Sequence, residues 1–172
     1  MSMRVDDRIG RMLFLLAVLA ATAGGCAIVA PGGAEVAKVP EPAGTFRGHR
    51  YLWTQGAGNW EQVEQEAVRM GGHLVAIDSA EENQYLVQSF GDGPYWIGLV
   101  QTSRSPEPGG GWHWAGEAPL TFTNWHPGQP DNFTGHDDFG FLLEHSKGGW
   151  DDVPVEGWPP TSSYRGVVEL PR

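Results

Sequence analysis

The sequence predicts an α+β domain. Two helical segments come first, short strands follow, and a long carboxylate-rich loop separates two of the later strands. Helices that precede strands, rather than alternating with them, point away from a parallel α/β sheet. At 172 residues the chain accommodates one domain of ordinary size.

Residues 1–44 stand apart from that domain. Arg4, Arg8 and Arg11 precede an apolar run, Met12 to Ala21. The run is too short to span a bilayer and fits a signal-peptide core, although Asp6 and Asp7 are unusual in such a segment. It ends in Thr22-Ala23-Gly24-Gly25-Cys26. Small residues before a Cys resemble the lipobox of bacterial lipoproteins, which implies acylation of Cys26 and removal of residues 1–25. An ordinary secreted protein with an incidental Cys is the other reading. Cys26 is the only cysteine, so it has no partner within the chain. Residues 26–44 are rich in Ala, Gly and Pro without apolar periodicity and read as a flexible tether. Residues 45–172 are left as the folded domain.

Phe46 to Thr54 alternates bulky side chains and reads as a strand. Asn59 to Met70 reads as a helix, with Asn59 as N-cap and Gln62 three residues on. Trp60, Val63, Ala67 and Met70 recur at helical spacing, and Gly71-Gly72 ends the run. His73 to Ile77 is a short strand. Ser79-Ala80-Glu81-Glu82 has the form of a second capping box, opening a helix from Ala80 to Phe90 that presents Leu86, Val87 and Phe90. Strands then follow at Tyr95–Gln101, Trp112–Trp114, Phe139–Glu144 and Gly166–Leu170. The stretch from Ala115 to Asp138 is long for a compact domain, and loops of that length tend to be functional.

The richest segment chemically is Thr123 to Val153. It holds Asn132 and five aspartates, Asp131, Asp137, Asp138, Asp151 and Asp152. Carboxylate and amide oxygens are hard ligands, and calcium takes six to eight of them in a flexible cage. Gln129 and Asp131 flank Pro130, so a bent Gln-Pro-Asp unit can aim two side-chain oxygens at one point. Turn-forming Asp on a solvated loop is the plainer reading, but it does not account for the joint spacing.

GQPDN followed by HDDF and GGWDDV resembles the ligand-binding loop of C-type lectin domains. NWEQVEQEAVRMGGHLVAIDSAEEN resembles that family's first helix and following strand, and Tyr95-Trp96-Ile97-Gly98-Leu99 its central Trp-Ile-Gly-Leu strand. The resemblance runs from about Phe46 to Leu170, in the family's order and spacing. It implies a lectin-like fold, two helices flanking small antiparallel sheets with a long calcium-binding loop. It implies a calcium ion held by Gln129, Asp131, Asp137, Asp151 and Asp152, and a cis Gln129–Pro130 peptide. It further implies a galactose-type sugar bound through Gln129, Asp131, Asp137 and Asp151, with Phe133 stacked on the sugar. Asp137 stands where the family more often has Glu, and Asp151 where it usually has Asn. The glycine-rich extension that follows the aromatic in galactose-selective relatives is missing. Asp138 and Asn132 are candidates for a second calcium.

Animal members of the family usually carry two disulfides, each worth about 2–5 kcal/mol in a small secreted domain. With its only Cys, Cys26, in the tether, this domain has none. Eight tryptophans are the candidates to replace them; truncating one buried large aromatic costs about 3–5 kcal/mol.

The formal net charge of -10 argues against nucleic acid and against electrostatic docking to anionic lipid. The six histidines show no zinc spacing, and no nucleophile–base pair or phosphate loop appears. The expected function is a non-enzymatic, lipid-anchored, calcium-dependent carbohydrate-binding module at a bacterial cell envelope, in the outer membrane if the cell is Gram-negative. A calcium-independent protein-binding module on the same fold is the first alternative. A metal-assisted hydrolase is the second, and it lacks an identifiable general base.

Overall fold

The structure is a computed structural model and describes residues 44–102 and 105–172. The expected signal peptide, Cys26 and all but the last residue of the tether lie outside the described residues. Gly44, expected to end the tether, opens the first strand.

β1 (Gly44–Phe46) and β2 (His49–Trp53) form a hairpin. The single strand expected over Phe46–Thr54 is therefore two. Arg47 and Gly48 turn the chain with φ of 48° and 89°, and an Arg at a left-handed turn position carries no turn signal in the sequence. α1 (Trp60–Arg69) starts with the expected capping box. Asn59 Oδ1 accepts from the Gln62 N–H at 2.9 Å, and Gln62 Oε1 accepts from the Asn59 N–H at 3.2 Å. The helix buries Trp60, Val63 and Ala67. At its end the Gly72 N–H reaches Ala67 O and the Gly71 N–H reaches Val68 O, both 6→1 and 5→2 closures of a Schellman turn, with Gly71 at φ 93°.

β3 (His73–Leu74) is shorter than expected. α2 (Ala80–Phe90) is capped by Ser79, but the second capping box is only half made. The Glu82 carboxylate turns inward instead, accepting from Tyr51 Oη at 2.6 Å and from the Asp78 N–H at 2.9 Å. That pins α2 to β2. Burial pushes the Glu82 carboxyl up to about 7.

β8 (Val167–Leu170) lies between β2 and β3, giving an antiparallel sheet of order β1-β2-β8-β3. Leu52 and Leu74 both face Val168 across this sheet. The second antiparallel sheet has order β5-β4-β6-β7, with β4 (Tyr95–Gln101), β5 (Trp112–Trp114), β6 (Phe139–Leu142) and β7 (Trp150–Val153). β7 was not expected as a strand: its two aspartates masked a run that β6 nonetheless pairs residue for residue. β4 joins the two sheets. Its Gly98 N–H donates to Val75 O at 2.9 Å, and a Cβ on Gly98 would sit 2.4 Å from Leu74 O.

The core forms two hydrophobic clusters that take in seven of the eight tryptophans: Trp60, Trp96, Trp112, Trp114 and Trp150 are buried in them, and Trp53 and Trp125, partly buried, pack against them. Several indoles tie distant segments together. Trp60 Nε1 donates to Ile97 O at 2.9 Å, Trp96 Nε1 to Gly58 O at 3.0 Å, and Trp150 Nε1 to Asn83 Oδ1 at 2.8 Å. These links join α1 to β4 and α2 to β7, the kind of long-range connection a disulfide would otherwise supply.

Candidate functional site

The loop between β5 and β6 is stitched to β7 at its base. The His126 N–H donates to Trp150 O at 2.8 Å and the Trp150 N–H to Asn124 O at 2.9 Å. From there the chain turns through Gly128, at φ 99°, into a cis Gln129–Pro130 peptide, as expected. β7 is fixed in turn by its buried Trp150, which brings Asp151 and Asp152 under the loop.

Asp131, Asp137 and Asp152 converge. One carboxylate oxygen from each lies within 4.8 Å of the others. Asp137 and Asp152 are almost inaccessible, at 1% and 4%, while Asp131 is exposed. Gln129 and Asp151 line the same cavity, of about 320 Å³, together with Phe133, Thr134, Val153, Pro154 and Trp158. Asp151 lies outside the three-carboxylate cluster. Of the candidates for a second ion, Asn132 Oδ1 accepts from the Asp137 N–H at 3.0 Å, and the backbone carbonyl of Asp138 accepts from the Gln101 N–H at 2.8 Å. His136 is exposed and does not line the cavity.

The carboxylates hold the loop's own backbone. Asp152 accepts from the N–H groups of Asp131 and Asn132, both at 2.8 Å. Asp137 accepts from the Thr134 N–H at 2.6 Å and from Thr134 Oγ1. Asp131 Oδ1 accepts from the Phe133 N–H at 3.1 Å. Each carboxylate oxygen has two acceptor directions, so these bonds leave capacity turned toward the cavity.

Two observations suit this set to a hard cation. Gln129 Oε1 is buried without a hydrogen-bond partner, and buried amide oxygens are normally satisfied. The charge is also uncompensated. Burial, then repulsion from Asp152, pushes the Asp151 carboxyl up to about 6. Asp152 is raised as well, chiefly by burial, against the lowering effect of the two N–H donors. Among the described residues, no Lys or Arg lines the cavity. A carboxylate-and-amide donor set of this kind fits calcium, with its preference for several oxygen ligands.

Sequence reasoning missed Thr134, whose hydroxyl orients Asp137, and Trp158, which forms a wall of the cavity. Thr134 had no signal beyond lying between two expected ligands. Trp158 follows Gly157 and precedes Pro159-Pro160, a turn signature rather than a core one.

A family model, the lectin C-type domain, matches residues 57–156. A perlucin-like protein of the mussel Mytilus galloprovincialis is 29% identical over 134 residues, covering 73% of this chain and 83% of its own length. Among solved structures, the mouse scavenger receptor C-type lectin carbohydrate-recognition domain superposes with a TM-score of 0.61 at 27% identity, covering 75% of this chain and 95% of that one. A calcium-independent type II antifreeze protein superposes equally, with a TM-score of 0.61 at 25% identity over 73% of this chain and 88% of that one. With the family model spanning more than half of its length and the fold in agreement, the chain belongs to the C-type lectin domain family.

Proposed function

We propose that the domain is a non-enzymatic, calcium-dependent carbohydrate-binding module for galactose-type hexoses, carried at a bacterial cell envelope by a lipid on Cys26. The observation that carries the reading is the buried, unpartnered Gln129 Oε1 in a cavity where three carboxylates already converge. Gln129, Asp131, Asp137, Asp151 and Asp152 would hold the ion. When bound, calcium supplies a positive centre that two neighbouring sugar hydroxyls can complete. The four carboxylates outweigh its charge by about two, so binding relieves their mutual repulsion.

Around the ion, the side chains sort the hydroxyls. Gln129 offers both an amide donor and an acceptor, whereas Asp131 only accepts. This order is the reverse of Glu-Pro-Asn, and a 3,4-diol with one axial hydroxyl suits it better than an equatorial pair. A single open site of this kind binds weakly, with a dissociation constant on the order of millimolar, about -4 kcal/mol. Many copies on one membrane would raise the avidity. The likeness to a mouse carbohydrate-recognition domain supports the reading.

A calcium-independent protein-binding role is the second reading. Two features favour it: the loop's internal hydrogen bonds satisfy much of its polar backbone without an ion, and one similar structure is a calcium-independent protein. Terbium luminescence separates the two, with galactoside binding measured in calcium and in EDTA. The proposal expects saturable terbium uptake, displaced by calcium, and sugar binding abolished by EDTA. The double substitution Gln129→Glu, Asp131→Asn is expected to retain cation binding and shift preference to mannose-type sugars. A wild type that takes up no cation, or binds mannose as well as galactose, refutes the proposal.

A further inference from the structure

We infer that Asn83, on α2, is a positioning residue for the cation site: through Trp150 it holds the base of the long loop against β7, and with it the placement of Gln129 and Asp131 relative to Asp151 and Asp152. The inference rests on the cation-binding reading above. α2 buries four side chains, and two of them are polar: Glu82 and Asn83, at 4% and 5% exposure. An amphipathic helix ordinarily turns an apolar stripe to the core, and buried polar groups are kept where their hydrogen bonds are made. Both residues are satisfied, in opposite directions. Glu82 reaches the first sheet through Tyr51. Asn83 reaches the second: its Oδ1 accepts from Trp150 Nε1 at 2.8 Å, and its Nδ2 donates to Gly148 O at 3.0 Å. An indole N–H only donates and a carbonyl only accepts, so these partners need an acceptor and a donor side by side, which is what an amide presents.

Trp150 is where the two halves of the site are joined. Its N–H donates to Asn124 O at 2.9 Å and its carbonyl accepts from the His126 N–H at 2.8 Å, which fixes the start of the segment leading to Gln129 and Asp131. Asp151 and Asp152 follow it directly in β7. Gly148 O takes a second amide, Asn124 Nδ2, at 2.7 Å, so one carbonyl ties α2 and the loop together. Gly148 lies at φ 86°, and a Cβ there would stand 2.4 Å from Asn83 Nδ2; glycine lets the helix amide come this close. Asp92 holds the same turn from its other side, accepting from the N–H groups of Lys147 and Gly148 at 3.0 Å and 2.8 Å.

Core packing alone does not demand this arrangement. Apolar burial is non-directional, so contact with Trp114, Phe122 and Trp125 keeps the indole in the core without setting its rotation. The bond to Asn83 sets it. A rotated indole shifts the Trp150 backbone, and the loop base and both aspartates move with it. A cation held by several oxygens at short range feels such shifts, and removing groups that orient metal ligands typically costs about 10–100-fold in metal affinity.

The test uses the full chain as wild type, Asn83→Leu, Trp150→Phe, the double variant and Val168→Ala. Val168 is buried in β8 of the first sheet, so the last variant lowers Tm without removing a bond to Trp150. Terbium titration reads affinity, and terbium luminescence lifetimes in light and heavy water read how much solvent remains on the ion, both well below every variant's Tm. Asn83→Leu is expected to weaken terbium about tenfold and to admit more coordinated water, as solvent replaces misplaced carboxylates. Trp150→Phe is expected to act in the same direction, and Asn83→Leu in that background to add less than about twofold. Val168→Ala is expected to stay within about twofold of wild type. Should Asn83→Leu not fold, Asn83→Ser, too short to serve both partners, takes its place with the same direction expected. Unchanged terbium affinity and hydration in the Asn83 variant overturn the inference while leaving cation binding intact. An equal loss in Val168→Ala also overturns it, by showing that the site merely follows global stability, as does full additivity of Asn83→Leu and Trp150→Phe in terbium affinity. A wild type that takes up no terbium overturns both readings.

Discussion

Replacing Trp150 by Phe tests whether indole hydrogen bonds substitute for the missing disulfides. Trp150 is fully buried, and its Nε1 donates at 2.8 Å to Asn83 Oδ1, which is itself buried. Phe keeps an aromatic ring but cannot donate. Orphaning a buried acceptor costs about 1–3 kcal/mol. The smaller ring also leaves a gap against Trp114, Phe122 and Trp125, which all meet the indole edge-on within 6 Å; that adds about 1–2 kcal/mol. The total is about 2–5 kcal/mol. For a domain of roughly 130 residues, 1 kcal/mol moves Tm by about 3–4 °C, so the expected fall is about 6–20 °C. Scanning calorimetry in EDTA measures it, with Trp158→Phe, an exposed control, expected to move Tm by less than about 2 °C. A double-mutant cycle with Asn83→Leu isolates the bond. Gly148 O, the other partner of Asn83, keeps Asn124 Nδ2 at 2.7 Å. The double variant should therefore be less destabilised than the two singles combined, by about 1 kcal/mol or more. Strict additivity, or a fall in Tm no larger than the control's, refutes the reasoning.

Two further outcomes are expected. In EDTA, Tm should rise on going from about pH 7.5 to about pH 5.5: Asp151 at about 6 and Glu82 at about 7 both lie above their usual 3.8 and 4.5, so their stabilising protons are lost as pH rises through those values. In calcium the increment due to the ion should instead shrink on acidification, since protons compete for the same carboxylates, and an EDTA curve that falls over this window contradicts the sign. Cys26→Ala is expected to move the protein from the detergent phase of a two-phase separation to the aqueous one; continued membrane association of that variant counts against the anchor.

The helices were legible in the sequence because local chemistry decides them. Asn59 with Gln62 and Gly71-Gly72 mark the ends of α1 by bonds made within a few residues. Glu82 shows where that legibility stops. Its spacing from Ser79 is that of a capping box, yet Tyr51, distant in sequence, captures the carboxylate. β7 was hidden for a related reason: two adjacent aspartates contradict strand composition, and only pairing with β6 makes the segment a strand. The convergence of Asp131, Asp137 and Asp152 was implied by the resemblance of their motifs to the family's ligand-binding loop. The separate place of Asp151, and the wall made by Trp158, depend on how β7 and the following connection lie against the loop, which no local pattern encodes.

The position of β8 constrains when the domain can fold. It follows every other strand in the chain, yet it is the strand that separates and hydrogen-bonds both β2 and β3. Until Val167–Leu170 has left the ribosome, β2 has only the short β1 beside it, and β3 has no partner in its sheet. The first sheet therefore cannot assemble in order from the N-terminus, because two-stranded hairpins are marginal by themselves in water. Its completion waits for Val167–Leu170, whereas every strand of the β5-β4-β6-β7 sheet that carries the carboxylates of β7 is already in place, so the two sheets differ in how early they can form.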